Sequence, residues 1–276
     1  MRRIFLTISS LLICSQQYAQ EYFQQQVNYN IQVTLNDRTH ELNASESMEY
    51  INNSHDELTF IYMHLWPNAY KDQHTALARQ LAENGSTKMY FATDDDLGYI
   101  DQLDFKVNDQ PVKTEYDPVH IDICKLILNE PLKPGQKINI TTPFHVKLPS
   151  GKISRLGHVG QAYTITQWYP KPAVYDMQGW HQMPYLNQGE FYSEFGSFDV
   201  SITVPKNYVL GATGDMVDGA AELDWLNTKI KNTEKKIADY GASKNSSFVD
   251  HDMSFPESSE QIKTLRFKQS NVHDFA

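Results

Sequence analysis

The sequence predicts a mainly β fold, a curved antiparallel sheet or β-sandwich carrying two short helical insertions. Three observations predict it. Val27, Tyr29, Ile31, Val33 and Leu35 alternate with Asn30, Gln32 and Thr34, the period of two that marks a half-buried strand. The alternation returns at Leu103 to Val107, Ile138 to Leu148 and Phe198 to Val204, set apart by Asn, Asp, Gly and Pro turn residues. Helical spacing of apolar residues is confined to two stretches, 71–84 and 218–241.

Taken in order, the chain opens on a secretory layout. Arg2 and Arg3 precede an apolar run from Ile4 to Ile13 that is too short to span a bilayer, and Tyr18, Ala19 and Gln20 lead into a polar start. Residues 1–20 are therefore expected to be a cleaved signal, and the protein to be exported to a periplasmic or extracellular space. A lipid anchor at Cys14 ranks behind this, because Ile13 is not the small residue that a lipobox places before its cysteine. The β-rich domain is expected over 21–215. Leu42, Ala44, Met48 and Tyr50 continue the first alternation less perfectly, and Leu58, Phe60 and Tyr62 share a strand with Ile61, Met63 and Leu65, so that strand should be covered on both faces. Leu77 and Leu81 stand four apart in a helix over Lys71 to Asn84 that Gly85 stops. Asn108-Asp109 reads as a hairpin turn, His120 to Leu128 as a strand, and Pro205 stops the late one. The segment 216–262 is a helical insertion and polar loop. Asp218 can cap its helix, Leu223, Leu226, Ile230, Ile237 and Tyr240 keep helical spacing, and a Ser-rich stretch follows. Residues 263–276 begin a further segment, with Leu265 and Phe267 in strand-like spacing.

Charge narrows the partners. The net charge is −10, and loss of the signal removes two arginines and no acid. An acidic exported chain lacks the clustered cations that nucleic acid requires, so no nucleic-acid partner and no membrane span are expected. With one cysteine left after cleavage, Cys124, no internal disulfide can form, and the fold must rest on its core.

The chemistry of the familiar motifs is missing. His40-Glu41 is followed four residues later by Ala44, where a helical zinc pair needs a second histidine. Asp94-Asp95-Asp96 with Gly98 and Asp101 lacks the ligand order of a calcium loop. No metal, catalytic residue or cofactor is assigned within this chain. Trp168, Tyr169, Tyr175, Trp180, Tyr185, Phe191, Tyr192 and Phe195 crowd beside Asp176, Glu190 and Glu194, a mixture that suits a packed core or a stacking platform for a glycan.

Several segments in order carry a resemblance: His64-Leu65-Trp66-Pro67-Asn68-Ala69-Tyr70, Gly98-Tyr99-Ile100-Asp101, Thr166-Gln167-Trp168-Tyr169-Pro170-Lys171-Pro172 running to Gly179-Trp180-His181, Gly211-Ala212-Thr213-Gly214, and Asn271-Val272-His273-Asp274-Phe275-Ala276. Together they resemble the N-terminal domain of exported bacterial M1-family (gluzincin) zinc aminopeptidases, truncated before the catalytic domain. The resemblance implies a curved, largely β domain packed beside a thermolysin-like one, with residues 263–276 as the join. It implies that Gln167 contacts the free amino terminus of a peptide substrate, and that Tyr169 stands where many members carry a second amide or carboxylate. Zinc would belong to the full-length parent, because no H-E-x-x-H occurs in these 276 residues. Taken alone the chain is then expected to be catalytically inert. The reading from another class is a stand-alone extracellular β-sandwich that binds a glycan or peptide in its aromatic cleft.

Overall fold

The computed structural model describes residues 22–189, 191–242 and 254–276. The expected signal with Cys14, the Glu190 carboxylate and most of the Ser-rich stretch lie outside the described residues. In chain order the strands are β1 (Gln26–Asn36), β2 (Glu41–Ile51), β3 (Leu58–His64), β4 (Tyr99–Asp101), β5 (Lys106–Val107), β6 (Gln110–Pro111), β7 (Lys113–Tyr116), β8 (Ile123–Leu132), β9 (Lys137–Lys147), β10 (Gly157–Val159), β11 (Ala162–Thr164), β12 (Lys171–Pro172), β13 (Tyr175–Asp176), β14 (Gly179–Trp180), β15 (Gly196–Pro205), β16 (Asp215–Val217) and β17 (Ile262–Val272). Helix α1 spans Ala76–Glu83 and α2 spans Ala220–Ala242.

Nine strands form one sheet in the order β16-β17-β15-β1-β2-β9-β5-β6, with β4 joined to β9; a second sheet runs β12-β3-β8-β7, and β10-β11 and β13-β14 are two-stranded ribbons. The alternation in β1 has the expected cause: Val27, Tyr29, Ile31 and Val33 are buried while their neighbours face outward. Its hairpin with β2 runs in register from Leu35↔Leu42 to Gln26↔Ile51. On its other side β1 pairs with β15 in parallel, Tyr29↔Phe198 through Thr34↔Thr203, so the sheet is mixed rather than purely antiparallel. The second sheet and α1 lie between these strands in the chain, which returns running the same way, and side-chain alternation carries no information about strand direction. A single hydrophobic cluster reaches from Ile31 and Phe198 in the large sheet to Ile61 and Leu126 in the smaller one.

In β3, Ile61 and Met63 are buried on one face, and Phe60 and Tyr62 on the other are covered by the Trp180 ring at 6.0 and 5.9 Å. The first helical stretch is shorter than expected and is preceded by a separate turn. Trp66–Tyr70 is a 3-10 turn, and α1 begins only at Ala76, where the Thr75 side chain accepts from the Ala78 amide at 3.2 Å. Leu77 and Leu81 face the core, and Gly85 follows the helix at φ 78°. Asn108 and Asp109 both have positive φ, 48° and 64°, as a two-residue hairpin turn of the primed type demands, and the paired strand before them is limited to Lys106–Val107.

Helix α2 departs from the expected burial. Leu223, Ile230 and Ile237 are exposed, and the contacts to the body lie near its start, where Lys263 Nζ reaches Glu222 at 2.6 Å and stands 4.0 Å from the Trp225 ring centre. Asp218 precedes it at φ 53°, in the left-handed region. The helix is inserted between β16 and β17, which are neighbours in the large sheet with Asp215↔Lys268 and Val217↔Arg266. Residues 262–272 thus pair along β15 as an integral strand of the β domain. Among the described residues no helix is long and apolar enough to cross a membrane.

Candidate functional site

Gln167 follows the β10-β11 ribbon and enters the short β12 strand through a tight turn. Its φ is 54°, a left-handed backbone that costs a residue with a Cβ about 1–2 kcal/mol. The surroundings hold it there. The Lys171 ammonium donates to Gln167 Oε1 at 2.5 Å, and Gln167 Nε2 donates to Asp274 Oδ2. Asp274 also accepts from the Tyr169 hydroxyl at 2.7 Å, from the Phe275 amide at 2.9 Å and, in an ion pair, faces Lys171 at 3.3 Å. Trp168 Nε1 donates to the Phe275 carbonyl at 3.1 Å, which clamps the end of the chain against the same turn.

The cluster is dry. Gln167 is 7% exposed, and Tyr169 and Lys171 are 1% exposed. Burial lowers the Lys171 ammonium from its ordinary value, opposed by the Asp274 charge, and burial followed by Asp274 raises the Tyr169 phenol well above its own. Lys171 also lies 4.6 Å over the Trp66 ring centre. Trp66 stacks on His64 at 4.4 Å, and burial with Lys171 beside it holds His64 down to about 3, so that imidazole is neutral. Its Nε2 accepts from the Met183 amide at 3.2 Å, so the proton sits on Nδ1, which has no partner among the described residues.

The structure thus brings both named residues into one cluster. The Tyr169 hydroxyl is committed to Asp274 and its ring packs edge-on to Tyr29 at 5.4 Å. Gln167 retains one amide hydrogen and one oxygen lone pair after its two bonds, and next to it the buried Thr166 hydroxyl has no partner among the described residues. The wall that remains can orient a polar group. Asp274 and Lys171 were missing from the sequence assignment because their roles come from a contact about a hundred residues apart in the chain. Glu46 left a trace. It interrupts the apolar face Leu42, Ala44, Met48, Tyr50, and the strand buries it to 4% exposure with neither carboxyl oxygen partnered among the described residues. Burial raises that carboxyl well above its ordinary value.

Other candidates resolve simply. His40 sits in a tight turn at φ 56°, stacked on His158 at 3.6 Å and bonded through Nδ1 to the Tyr163 hydroxyl at 2.7 Å. Asp96 closes its acidic turn by accepting from the Thr93 amide at 3.1 Å. Among the described residues no three His, Cys, Asp or Glu side chains converge to hold a metal. Of the aromatic run, Trp168, Tyr169 and Tyr185 are buried in the core. An apolar groove of 570 Å³ opens beside the cluster, lined by Val33, Leu42, Trp168, Val209, Phe255 and Phe275 among others.

The chain matches no known protein family by sequence, and no curated protein matches it. Among solved structures it is similar to the M1 zinc metallopeptidase from Deinococcus radiodurans, at 13% identity and a TM-score of 0.41, over 89% of this chain and 39% of that one. A mutant M1 zinc metallopeptidase from the same organism aligns at 12% identity and a TM-score of 0.42, over the same shares of the two chains. A two-domain M1 zinc metallopeptidase mutant bound to L-arginine aligns at 12% and 0.41, again over 89% and 39%. The chain therefore spans 39% of the length of the structures it matches.

Proposed function

We propose that this chain is the substrate-side N-terminal domain of an exported M1-like zinc metallopeptidase, an aminopeptidase acting on peptide N-termini. On this reading it performs no hydrolysis by itself: the sequence carries no H-E-x-x-H, and among the described residues no three His, Cys, Asp or Glu side chains converge. The observation that carries the reading is the Gln167 turn. A left-handed backbone at a residue with a side chain persists only where its surroundings over-determine it, and such strain collects at functional positions. Here Lys171 and Asp274 fix the Gln167 amide while one lone pair and one hydrogen stay free, beside the unpartnered Thr166 hydroxyl. The lone pair is the acceptor for a substrate ammonium, and Tyr169 acts through Asp274 as a positioning residue. The ordered motifs from His64 to Ala276 support the same reading, and the bare apolar groove at Phe275 is the surface that a catalytic domain would cover.

The test is to sequence the locus past the Ala276 codon and take the intact mass of the exported product. The expected frame continues into H-E-x-x-H and a distal Glu. In that longer product Gln167→Ala raises KM for a free-amine dipeptide roughly tenfold, the loss of one hydrogen bond to a charged group. A stop at Ala276 with a stable exported product ending there would overturn the reading.

A further inference from the structure

Helix α2 carries a seam that no other described element covers. Leu223, Ile230 and Ile237 recur every seven residues, and Leu226 and Thr233 follow the first two by three, the a and d positions of a heptad repeat. The three a residues are 54%, 54% and 67% exposed, and every side chain from Asn227 to Asp239 is exposed. The body meets the helix beside this seam, where Lys263 pairs with Glu222 at 2.6 Å and lies 4.0 Å from the Trp225 ring centre. From Asn227 to Asp239 the helix therefore projects for about 20 Å with nothing against its apolar stripe. A helix of that length is marginal in water by itself, and helices in proteins owe most of their stability to packing an apolar face. The one polar d residue makes no demand on the seam, because the Thr233 hydroxyl donates to the Lys229 carbonyl of its own helix at 3.0 Å.

We propose that α2 is a dimerisation helix, pairing in parallel with α2 of a second copy of this chain as a short two-stranded coiled coil. Three features select that occupant. Isoleucine at a and leucine at d favour two parallel strands, a register that sets each seam residue against its own copy. The flanking charges fit the same register. Lys229, at g, faces Glu234, at the e position five residues on in the second helix, and the two-fold axis makes that pair twice. Both charges are open to it: Glu234 has no ion-pair partner among the described residues, and the Lys229 ammonium there has only the Trp225 ring, 5.3 Å from its centre. The other pairings of this kind, Glu222 with Asn227 and Lys236 with Gly241, bring no like charges together. An antiparallel register overlapping the whole seam would set Lys229 against its own copy. Its one attractive contact, Glu222 with Lys236, would compete with the Lys263 bond already in place. The third feature is charge balance. A lipid surface could also cover an amphipathic helix, but α2 holds four lysines and four acidic residues, which cancel, whereas anionic headgroups select a basic polar face.

The proposal stands without the peptidase reading, and its test uses the purified chain without residues 1–20. A seam this short makes a small, weak interface, so sedimentation equilibrium between about 5 and 500 µM should show a reversible monomer–dimer equilibrium. Ile230→Asp alters a side chain that the body leaves exposed, so the fold should persist while dimer affinity falls roughly a hundredfold or more. Glu234→Lys alone should weaken the dimer roughly tenfold, and adding Lys229→Glu should restore it to within about threefold. Ile237→Cys should form a disulfide with its own copy under mild oxidation, because the parallel register sets position 237 against itself while the antiparallel one sets it against Leu226; Cys124 is buried and out of reach. A chain that stays monomeric across that range, an unchanged dimer in Ile230→Asp, no rescue by the charge exchange, or dimers without the Ile237→Cys disulfide would each overturn the proposal. A monomer that binds phosphatidylglycerol vesicles through α2 would overturn it too, and would assign the seam to a membrane surface.

Discussion

Replacing Glu194 with glutamine should make the protein more stable near neutral pH and less stable in acid. The carboxyl lies at about 8 in the folded chain, against an ordinary value of 4.5, chiefly through burial. Below the ordinary value it is protonated in both states and adds no pH dependence. As pH rises past it, the unfolded chain releases a proton that the folded chain retains, so stability falls until about 8, where the folded carboxyl also ionises. At ~1.4 kcal/mol per pH unit, the penalty near pH 7.5 is at most about 4 kcal/mol. Glutamine cannot ionise and keeps the bond from the Tyr175 amide, but its NH₂ enters a site with no acceptor, which costs about 1–3 kcal/mol. The net expectation is a gain of about 2 kcal/mol near pH 7.5 and a loss of about 1–2 kcal/mol near pH 4.5. For a chain of this size 1 kcal/mol moves Tm by roughly 2–4 °C, so melts followed by circular dichroism between those pH values resolve the crossing. Parallel pH profiles for the two proteins, or a variant less stable at neutral pH, would refute the reasoning.

Glu46→Leu should raise stability at neutral pH by about 2 kcal/mol, because both carboxyl oxygens are buried without partners among the described residues and leucine continues the apolar face of β2; urea unfolding reads it. Gly196→Ala should abolish folding or cost more than about 4 kcal/mol, since a Cβ there would stand 1.7 Å from the Val27 carbonyl oxygen; soluble yield and far-UV dichroism report it. The Cys124 thiol is 1% exposed and pushed up to about 12 by burial, so a thiol reagent should leave it untouched in the native protein and modify it only after denaturation, as intact mass will show.

Much of the sheet was legible because periodicity reports burial directly. Val27, Tyr29, Ile31 and Val33 alternate in the sequence for the same reason that they line one face of β1. Direction was not legible, and the parallel β1-β15 pair shows why: which way a partner runs is set by the path between the strands, not by their side chains. The start of α1 was misplaced because Lys71 to His74 have no local veto against helix, while the Thr75 cap decides the boundary. Exposure of Ile230 and Ile237 could not be read either, since helical spacing announces an apolar stripe and not whether anything lies against it. Within the site, Gln167 and Tyr169 were visible as a motif, whereas Asp274 and Lys171 acquire their roles only when the chain's end folds back on the turn.

The places where this chain breaks the ordinary rules of a core are close together in space. Tyr29, fully buried at the centre of β1, has its phenol raised by burial and then by the charges of Glu46, Asp274 and Glu194. One side chain therefore senses the unpartnered carboxyl of Glu46, the Asp274 that holds Gln167, and the buried carboxyl of Glu194. Structural acids would be expected to scatter, each answering a local packing need. Of the three acids around Tyr29, Asp274 is instead ion-paired with Lys171 and reaches solvent, whereas Glu46 and Glu194, each with an unpartnered oxygen among the described residues, are pushed toward the neutral form by burial. The core therefore accommodates its acids in two ways, by pairing the charge of Asp274 with Lys171 and by favouring the uncharged forms of Glu46 and Glu194.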